Sequence, residues 1–353
     1  MKRLLMVFSV LVLAFALSGC SEDKTKIYVL NWGDYVDYDI IDAFEEEYDV
    51  KVVYEEVGSN EEMEIKIKSG ITAYDIAVPS DYMVDKLRKQ NLINEIDYSK
   101  FSSLDSVTIS DGVSSLYAGK GYENYLVPYF WGTIGIMYNT DTVTEEQLDG
   151  WNTLFDPNTT LDVGMYDSAR DAVAAALLYK GYSVNSNVTA ELNEAEEALK
   201  AANIHTFGED NLKGHVIQEF LDVALVYSGD YFDELYAAEE DGVEANFGYY
   251  VPETTNIWVD GFVIPTTSEQ TDLAYKFIDF FLKEENAEQN ADWVGYAPVL
   301  DEVYATLVGD DYGYDYENYN PSPVGANREI YEFISDDRFD RLNQILQASK
   351  PSN

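Results

Sequence analysis

The sequence predicts an α/β protein with two lobes. Apolar segments rich in β-branched residues alternate with amphipathic helical segments along most of the chain, and this alternation is typical of parallel βαβ units. The chain has 353 residues, and its 46% apolar content is enough to form substantial cores. Because a single core stops growing at about 250–300 residues, this length favours two lobes over one.

The first quarter of the chain shows the alternation most clearly. Ile40, Ile41 and Phe44 recur at helical spacing with acidic residues between them, whereas residues 50–56 alternate apolar and polar side chains as a strand does. The pattern predicts strands at 26–32, 50–56 and 74–78 and helices at 38–48, 60–68 and 81–90. These elements predict one α/β lobe built from parallel strands.

The rest of the chain continues the pattern. The predicted strands lie at 125–127, 134–139, 162–165, 223–227, 246–252 and 255–263. The predicted helices lie at 150–155, 172–178, 190–202 and 272–283, and 327–347 is largely helical. Residues 310–320 are rich in Tyr, Asp and Asn but lack the DxDxDG spacing of a calcium loop. We therefore expect a solvated surface loop there and no metal site.

The first twenty residues have the layout of a secretory signal. Two basic residues precede an apolar run over residues 4–17, and Leu-Ser-Gly-Cys follows, ending at Cys20. The run is shorter than the roughly 20 residues that a membrane-spanning helix needs. Its end resembles the lipobox of bacterial lipoproteins, so we expect a lipoprotein-type signal peptide at 1–19, lipidation of Cys20 and a tether at 20–25. The expected location is the extracytoplasmic face of a bacterial membrane, at the cell surface or in the periplasm.

The chain is strongly acidic, with a formal net charge of -44 from 66 acidic and 22 basic residues. This balance argues against nucleic acid as a partner, because phosphates require a basic surface. A cationic ligand would be attracted by such a field, but an acidic surface also serves solubility or adaptation to salt. The charge alone therefore does not identify a ligand.

The sequence lacks the familiar catalytic motifs. Its two histidines, His205 and His215, do not have HExxH spacing, and there is no GxSxG elbow, phosphate loop or GxGxxG after a strand. We therefore expect a binding protein without a cofactor, not an enzyme. A glycosidase that uses a pair of carboxylates remains an alternative, because it needs neither His nor Cys.

Six motifs carry a family resemblance. They are NWGDYV at 31–36, YDIAVPSDY at 74–82, WGT at 131–133, ARD at 169–171, WVDG at 258–261 and GYAP at 295–298. In this order and combination they resemble the spermidine/putrescine-binding proteins, which are the substrate-binding subunits of polyamine ABC importers. The final 50 residues match this family poorly.

The resemblance implies a two-lobed type II periplasmic-binding-protein fold with a ligand cleft between the lobes. Lobe 1 is expected at 26–132 and 260–300, and lobe 2 at 133–259 and 301–353. The implied function is capture of putrescine and/or spermidine by cleft closure and delivery to an ABC permease, by a monomer. Two-lobed relatives that bind another small solute, such as a sugar, an amino acid, an anion or ferric iron, leave a second interpretation open.

Polyamine recognition needs carboxylates for the ammonium groups and aromatic faces for the methylene chain. Trp258 and Asp260 are two residues apart, so on a regular strand they face the same side. The resemblance assigns ligand contacts to the carboxylates Asp34, Asp171 and Asp260, to Ser80, and to the aromatic residues Trp32, Tyr35, Tyr82, Tyr227, Trp258 and Tyr296. Ser168 stands where the family often has another acid, which favours putrescine or relaxed selectivity.

Overall fold

The computed structural model describes residues 24–351 apart from 311 and 315. The predicted signal peptide, the lipidation site Cys20 and most of the predicted tether lie outside the described residues. Within the described part of the chain, no helix has both the length and the apolar character needed to cross a bilayer.

The elements follow one another along the chain as alternating strands and helices. The strands are β1 (Thr25–Trp32), β2 (Val50–Val57), β3 (Ile76–Ala77), β4 (Val127–Asn139), β5 (Val163–Tyr166), β6 (Ile204–Gly208), β7 (Val223–Tyr227), β8 (Phe247–Tyr250), β9 (Thr254–Phe262), β10 (Ala297–Pro298) and β11 (Asn327–Ile330). The α-helices are α1 (Tyr38–Tyr48), α2 (Asn60–Ser69), α3 (Asp81–Lys89), α4 (Asp111–Tyr117), α5 (Asn152–Phe155), α6 (Ala169–Tyr179), α7 (Thr189–Ala201), α8 (Asn211–Ile217), α9 (Ser228–Glu240), α10 (Thr271–Phe281), α11 (Glu284–Val294), α12 (Asp301–Leu307) and α13 (Asp336–Ser349). Short 3-10 helices lie at Tyr98–Lys100, Ser103–Asp105 and Glu145–Gln147.

The first sheet has β1 at its centre, paired in parallel with β2 on one side and β3 on the other. Helices α1 and α2 provide the crossovers that parallel strands require. An isolated bridge between Ala77 and Val263 joins this sheet to the chain just after β9. Because β1 and β3 run in the same direction, their carboxyl ends meet at one edge, where α/β sheets commonly bind ligands.

The second sheet has the strand order β11-β9-β4-β7-β5-β6, with β8 and β10 also paired to β4. Strands β5, β6 and β7 are parallel to one another, whereas β4 runs antiparallel to β7 and β9. Helix α6 is almost entirely buried and packs against α7, α13 and β9. Because β5 and β7 are parallel and α6 follows β5, the start of α6 and the carboxyl end of β7 lie at the same edge of this sheet.

Two long strands, β4 and β9, lie next to each other in the second sheet. β4 pairs with β9 and β10 in its first half and with β7 and β8 in its second half. The prediction of two separate strands at 125–127 and 134–139 is wrong, because every residue of β4 is buried and the strand is continuous. The predicted lobe boundaries at 132/133 and 259/260 fall within β4 and β9, and the one at 300/301 falls at the start of α12. They remain a prediction.

The tyrosine-rich segment after α12 packs onto helix α9. The ring of Tyr314 stacks on that of Tyr236, with centroids 4.0 Å apart, and Tyr319 is only 1% exposed. The expectation of a solvated loop over 310–320 is therefore wrong for these residues, because their apolar ring faces outweigh the acidic residues between them. The chain then forms β11, where the sequence predicted helix, since these residues pair in parallel with β9.

Candidate ligand-binding site

Most of the predicted ligand residues lie at strand ends and helix starts. Tyr35 follows β1, and Ser80 directly precedes α3. The other predicted residues comprise Trp32 at the end of β1, Asp34 after it, Tyr82 in the first turn of α3, Asp171 in the first turn of α6, Tyr227 at the end of β7, Trp258 and Asp260 in β9, and Tyr296 just before β10. These side chains therefore lie in, or within three residues of, a strand or a helix.

Asp260 is a buried carboxylate with one oxygen left free. The side chain is 6% exposed, and its Oδ2 accepts a hydrogen bond from the Tyr35 hydroxyl at 3.1 Å. Its Oδ1 is buried and accepts no hydrogen bond from the described residues. Burial raises the pKa of Asp260 to about 7, and the hydroxyls of Ser80 and Tyr35 lower it in part. The position therefore favours a cationic partner.

Ser80 is positioned by its neighbours rather than by capping its own helix. Its backbone forms an isolated bridge with Asp260, and its Oγ accepts a hydrogen bond from Asn60 Nδ2 at 3.0 Å. Its backbone N–H donates to Asn60 Oδ1 at 3.0 Å. This pair of contacts fixes the start of α3 beside Asp260.

Aromatic rings form a wall around Asp260. The Tyr296 ring lies 5.5 Å from that of Tyr35 and 5.2 Å from that of Trp258, both in edge-on geometry. Tyr227 meets Trp258 edge-on with centroids 6.1 Å apart. The indole Nε1 of Trp258 is buried and donates to no acceptor among the described residues. Trp258 and Asp260 thus reach the same ring cluster, as two residues on one face of a strand do.

Glycines allow these rings to approach the backbone closely. A Cβ on Gly132 would lie 2.5 Å from Trp258 Cζ2, and a Cβ on Gly229 would lie 2.3 Å from the Tyr296 ring. Both distances are shorter than a carbon–carbon contact allows. The positions of Trp258 and Tyr296 therefore depend on the absence of a side chain at 132 and 229.

Asp230 is a candidate site residue that the sequence motifs did not indicate. It lies in the first turn of α9, and its Oδ2 is buried without a hydrogen-bond partner among the described residues. The hydroxyl of Tyr296 is 3.5 Å from its Oδ1. Burial raises the pKa of Asp230 to about 7, although the positive charge of Lys213 lowers it in part. The signal that could have revealed it is an acid three residues after Tyr227, at the carboxyl end of β7.

Asp171 is buried but already has hydrogen-bond donors. Its Oδ2 accepts hydrogen bonds from Ser168 Oγ at 2.5 Å and from the Tyr227 hydroxyl at 2.8 Å. Its Oδ1 accepts a hydrogen bond from the hydroxyl of Tyr331 at 2.8 Å. Ser168 also caps α6, because its side chain accepts the backbone N–H of Asp171. Asp171 therefore differs from Asp260 and Asp230, which each keep an oxygen without a donor.

Tyr82 packs against a cation of the protein itself. The guanidinium of Arg170 lies 3.5 Å from the centre of the Tyr82 ring. Arg170 Nη2 is 3.9 Å from Glu61, and the Tyr82 hydroxyl is 3.4 Å from the same carboxylate. One face of Tyr82 is therefore covered by Arg170.

Trp32 and Asp34 lie farther toward the surface. The Trp32 indole is half-buried and donates to the backbone oxygen of Val78 at 2.8 Å, which ties the ends of β1 and β3 together. Asp34 is exposed and has a positive φ of 49°. The structure thus brings Tyr35, Asp260 and the ring wall together but does not place Asp34 among the buried carboxylates.

Among the described residues, no group of three or more His, Cys, Asp or Glu side chains is arranged to hold a metal ion. The polar groups of the site are carboxylates and hydroxyls next to aromatic faces. This arrangement suits an organic cation that carries both charge and apolar surface.

Comparison with known proteins identifies relatives across nearly the whole chain. A spermidine/putrescine-binding periplasmic protein from Escherichia coli K12 is 31% identical over 291 residues, covering 80% of each chain. The putrescine-binding periplasmic protein SpuD from Pseudomonas aeruginosa is 31% identical over 309 residues, covering 83% of this chain and 84% of the relative. These similarities confirm the family resemblance inferred from the sequence motifs.

Solved structures agree with the sequence relatives. The spermidine/putrescine ABC transporter substrate-binding protein PotD from Streptococcus pneumoniae superposes with a TM-score of 0.75 and 33% identity, covering 92% of this chain and all of that chain. This similarity confirms the predicted two-lobed α/β periplasmic-binding-protein fold. Residues 39–315 match the family model described as bacterial extracellular solute-binding protein. The chain belongs to the bacterial extracellular solute-binding protein family.

Proposed function

We propose that this protein captures a polyamine in the cleft and delivers it to an ABC permease. The observation that supports this most strongly is the pair of buried carboxylates, Asp260 and Asp230, each with an oxygen that no described residue satisfies. Burying an unpaired charge is costly, so such a pair is best explained by a cationic ligand that neutralises it. The names of the relatives, which describe putrescine and spermidine binding, support the same ligand class.

The aromatic wall complements the carboxylates chemically. Trp258 and Tyr296 present ring faces and edges beside both acids, so methylene groups can pack there while ammonium groups reach the free oxygens. An amino acid would bring its carboxylate as well as its ammonium group toward Asp260 and Asp230, and an anionic solute would bring only negative charge. A neutral sugar would leave both carboxylates without a cation. The binding of a polyamine therefore accounts for more of the site than either alternative does.

Ligand capture depends on the positions of Asp260 and Asp230 in the two predicted lobes. By the predicted boundaries, Asp260 belongs to lobe 1 and Asp230 to lobe 2. A ligand with an ammonium group at each acid would bridge the lobes and stabilise the closed cleft. Without a cation each carboxylate buries an oxygen that no described residue satisfies in the closed cleft, and this cost favours opening. Ligand binding and closure are thus coupled by charge neutralisation, with no chemical step.

The cellular setting is part of the same proposal. Membership of the extracellular solute-binding family supports a location outside the cytoplasm. The Leu-Ser-Gly-Cys sequence ending at Cys20 supports attachment to the membrane through lipid. The anchored protein would work as a monomer and meet its permease in the same membrane. Names of relatives that describe binding and transport, not catalysis, support a role without enzymatic turnover.

Calorimetric titration tests this function. The mature chain is expressed without its signal, so that Cys20 carries no lipid, and is titrated with putrescine and spermidine at near-physiological salt. We expect saturable one-to-one binding with a free energy of about -8 kcal/mol or stronger. Asp260→Asn should weaken it by at least about 100-fold, whereas Asp111→Asn, at an exposed position in α4, should leave it unchanged. Weak heat that disappears with salt would show only that polycations coat an acidic surface, and it would refute the proposal.

A further inference from the structure

The segment after β11 reaches into the site, although it lies beyond the residues that match the family model. Tyr331 immediately follows β11, is 5% exposed, and donates its hydroxyl to Asp171 Oδ1 at 2.8 Å. With Ser168 and Tyr227 on the other oxygen, Asp171 accepts three hydrogen bonds from hydroxyl groups. Most of the hydrogen-bonding capacity of Asp171 is therefore used inside the protein.

The same segment is fastened to helix α3. Asp336 lies 2.8 Å from Lys86 Nζ, and Lys86 also pairs with Glu64 at 2.7 Å. The ammonium groups of Lys86 and Lys89 lie 5.3 and 5.4 Å from the centre of the Phe333 ring. These contacts hold residues 331–336 between α3 and α6, so Tyr331 is not a loose side chain.

Protein side chains also fill the space around Tyr331. Its ring meets that of Tyr82 edge-on with centroids 6.4 Å apart. The guanidinium of Arg170 lies 3.5 Å from the centre of the Tyr82 ring and 5.6 Å from that of Tyr331. A ligand cation at this end would have to displace the Tyr331 hydroxyl and would approach the positive charge of Arg170. Binding of a further ammonium group at this end of the cleft is therefore unfavourable.

We propose that Tyr331 is a specificity-determining residue that closes the Asp171 end of the cleft and restricts the site to a diamine. The two carboxylates with free oxygens, Asp260 and Asp230, would take the two ammonium groups. The third ammonium group of spermidine would find no free carboxylate at the closed end. The inference rests on the proposed function and narrows its ligand class from polyamines to α,ω-diamines.

The physical basis is the cost of an unmatched polar group. A site discriminates strongly when the wrong ligand leaves a buried charge or hydrogen-bonding group without a partner. Spermidine would either bury an unpaired ammonium group or break the bond between Tyr331 and Asp171. Both changes are unfavourable, whereas a diamine requires neither.

The test compares ligands on the unmutated mature chain and on one variant. Diamines of three to six carbons and spermidine are titrated into each protein by calorimetry. For the unmutated chain we expect one diamine to bind at least about tenfold more tightly than spermidine. Tyr331→Phe frees Asp171 Oδ1, so spermidine should gain about tenfold relative to that diamine. The control Tyr182→Phe removes a hydroxyl that donates to Glu194 at the exposed surface, and it should leave the ratio unchanged.

The outcomes separate the two proposals. If no amine binds the unmutated chain, the proposed function fails. If spermidine binds as tightly as the best diamine, the function stands and the diamine restriction is overturned. If Tyr331→Phe is folded, as judged by its circular dichroism and melting temperature, and keeps the original ratio, the role of Tyr331 is overturned. If that variant does not fold, the ligand series on the unmutated chain still decides the diamine restriction.

Discussion

Asp171 and Asp260 are both buried aspartates beside tyrosine hydroxyls, yet their surroundings are opposite in kind. Asp171 accepts hydrogen bonds from Ser168, Tyr227 and Tyr331, so its oxygens are engaged within the protein. Asp260 accepts one from Tyr35, and its Oδ1 has no hydrogen-bond partner in the described part of the chain. Burial of an acid therefore does not by itself mark a ligand contact. The number of donors that the protein supplies is the more informative property.

The largest expected effect is on putrescine affinity, and it should differ between the two kinds of carboxylate. Asp230→Asn removes a charge that has no matching donor, so putrescine affinity should fall by at least about 100-fold. Asp171→Asn instead disturbs a hydrogen-bonded carboxylate, so its main effect should be a loss of about 1–3 kcal/mol in the free energy of unfolding. Calorimetry and denaturant unfolding measure the two effects separately. Equal losses of affinity with unchanged stability in both variants would remove the distinction.

A second expected effect concerns pH. The pKa values of Asp260 and Asp230 are both raised to about 7, and both groups must be ionised to pair with a diamine. Putrescine should therefore bind at least about tenfold more tightly at pH 8 than at pH 6, with proton release seen as a buffer-dependent enthalpy. The polar and titratable groups next to Asp260 are Tyr35, Ser80 and Asp81.

Those next to Asp230 are Lys213, Asp210, Asp233 and Tyr296.

The same two acids should make the folding stability fall as the pH rises, whereas they make the ligand affinity rise. Because their folded-state pKa values lie above the ordinary value of 3.8, their contribution to stability is fully present below about pH 4 and is lost as the pH rises through about 7. The ligand-free double variant Asp230→Asn, Asp260→Asn should therefore lose less stability than the unmutated chain over this range. Identical pH profiles of the melting temperature would contradict this account.

A third prediction tests the close approach of Tyr296 to α9. Gly229→Ala would place a Cβ 2.3 Å from the Tyr296 ring, so the ring must move away from Asp230. We expect putrescine affinity to fall about tenfold, in line with a cost of about 1–3 kcal/mol for overpacking. The matched control is Gly214→Ala in α8, where a Cβ would meet only Gln218 Nε2 at 3.9 Å. That control should keep full affinity, and a similar loss in both variants would contradict the role of the contact.

The smallest expected effect concerns the salt bridges of Lys86. Its partner Asp336 is 71% exposed, whereas its other partner, Glu64, is 11% exposed. Asp336→Asn should change the free energy of unfolding by less than about 1 kcal/mol. Glu64→Gln should cost more, because it leaves a largely buried ammonium group with only an exposed partner. Denaturant unfolding measures both, and a larger loss for Asp336→Asn than for Glu64→Gln would contradict this expected order.

Local patterns were sufficient to predict much of the fold. The helix over 38–48 and the strands at 50–56 and 223–227 follow directly from side-chain periodicity, which depends on near neighbours in the chain. The pattern failed at Phe130-Trp131-Gly132, where strand β4 continues without a break. It failed because the partners that make this segment a strand, β9 and β10, come more than 100 residues later.

Residue types and their order were enough to predict the fold class, the family and most of the residues of the aromatic wall. Which acids have an oxygen without a hydrogen-bond donor depends on the tertiary structure. The Tyr296 hydroxyl lies near Asp230, and the hydroxyl of Tyr331 donates to Asp171, which is 160 residues away in the chain. Whether a carboxylate is satisfied depends on donors brought together from distant parts of the chain, and no local pattern records that arrangement.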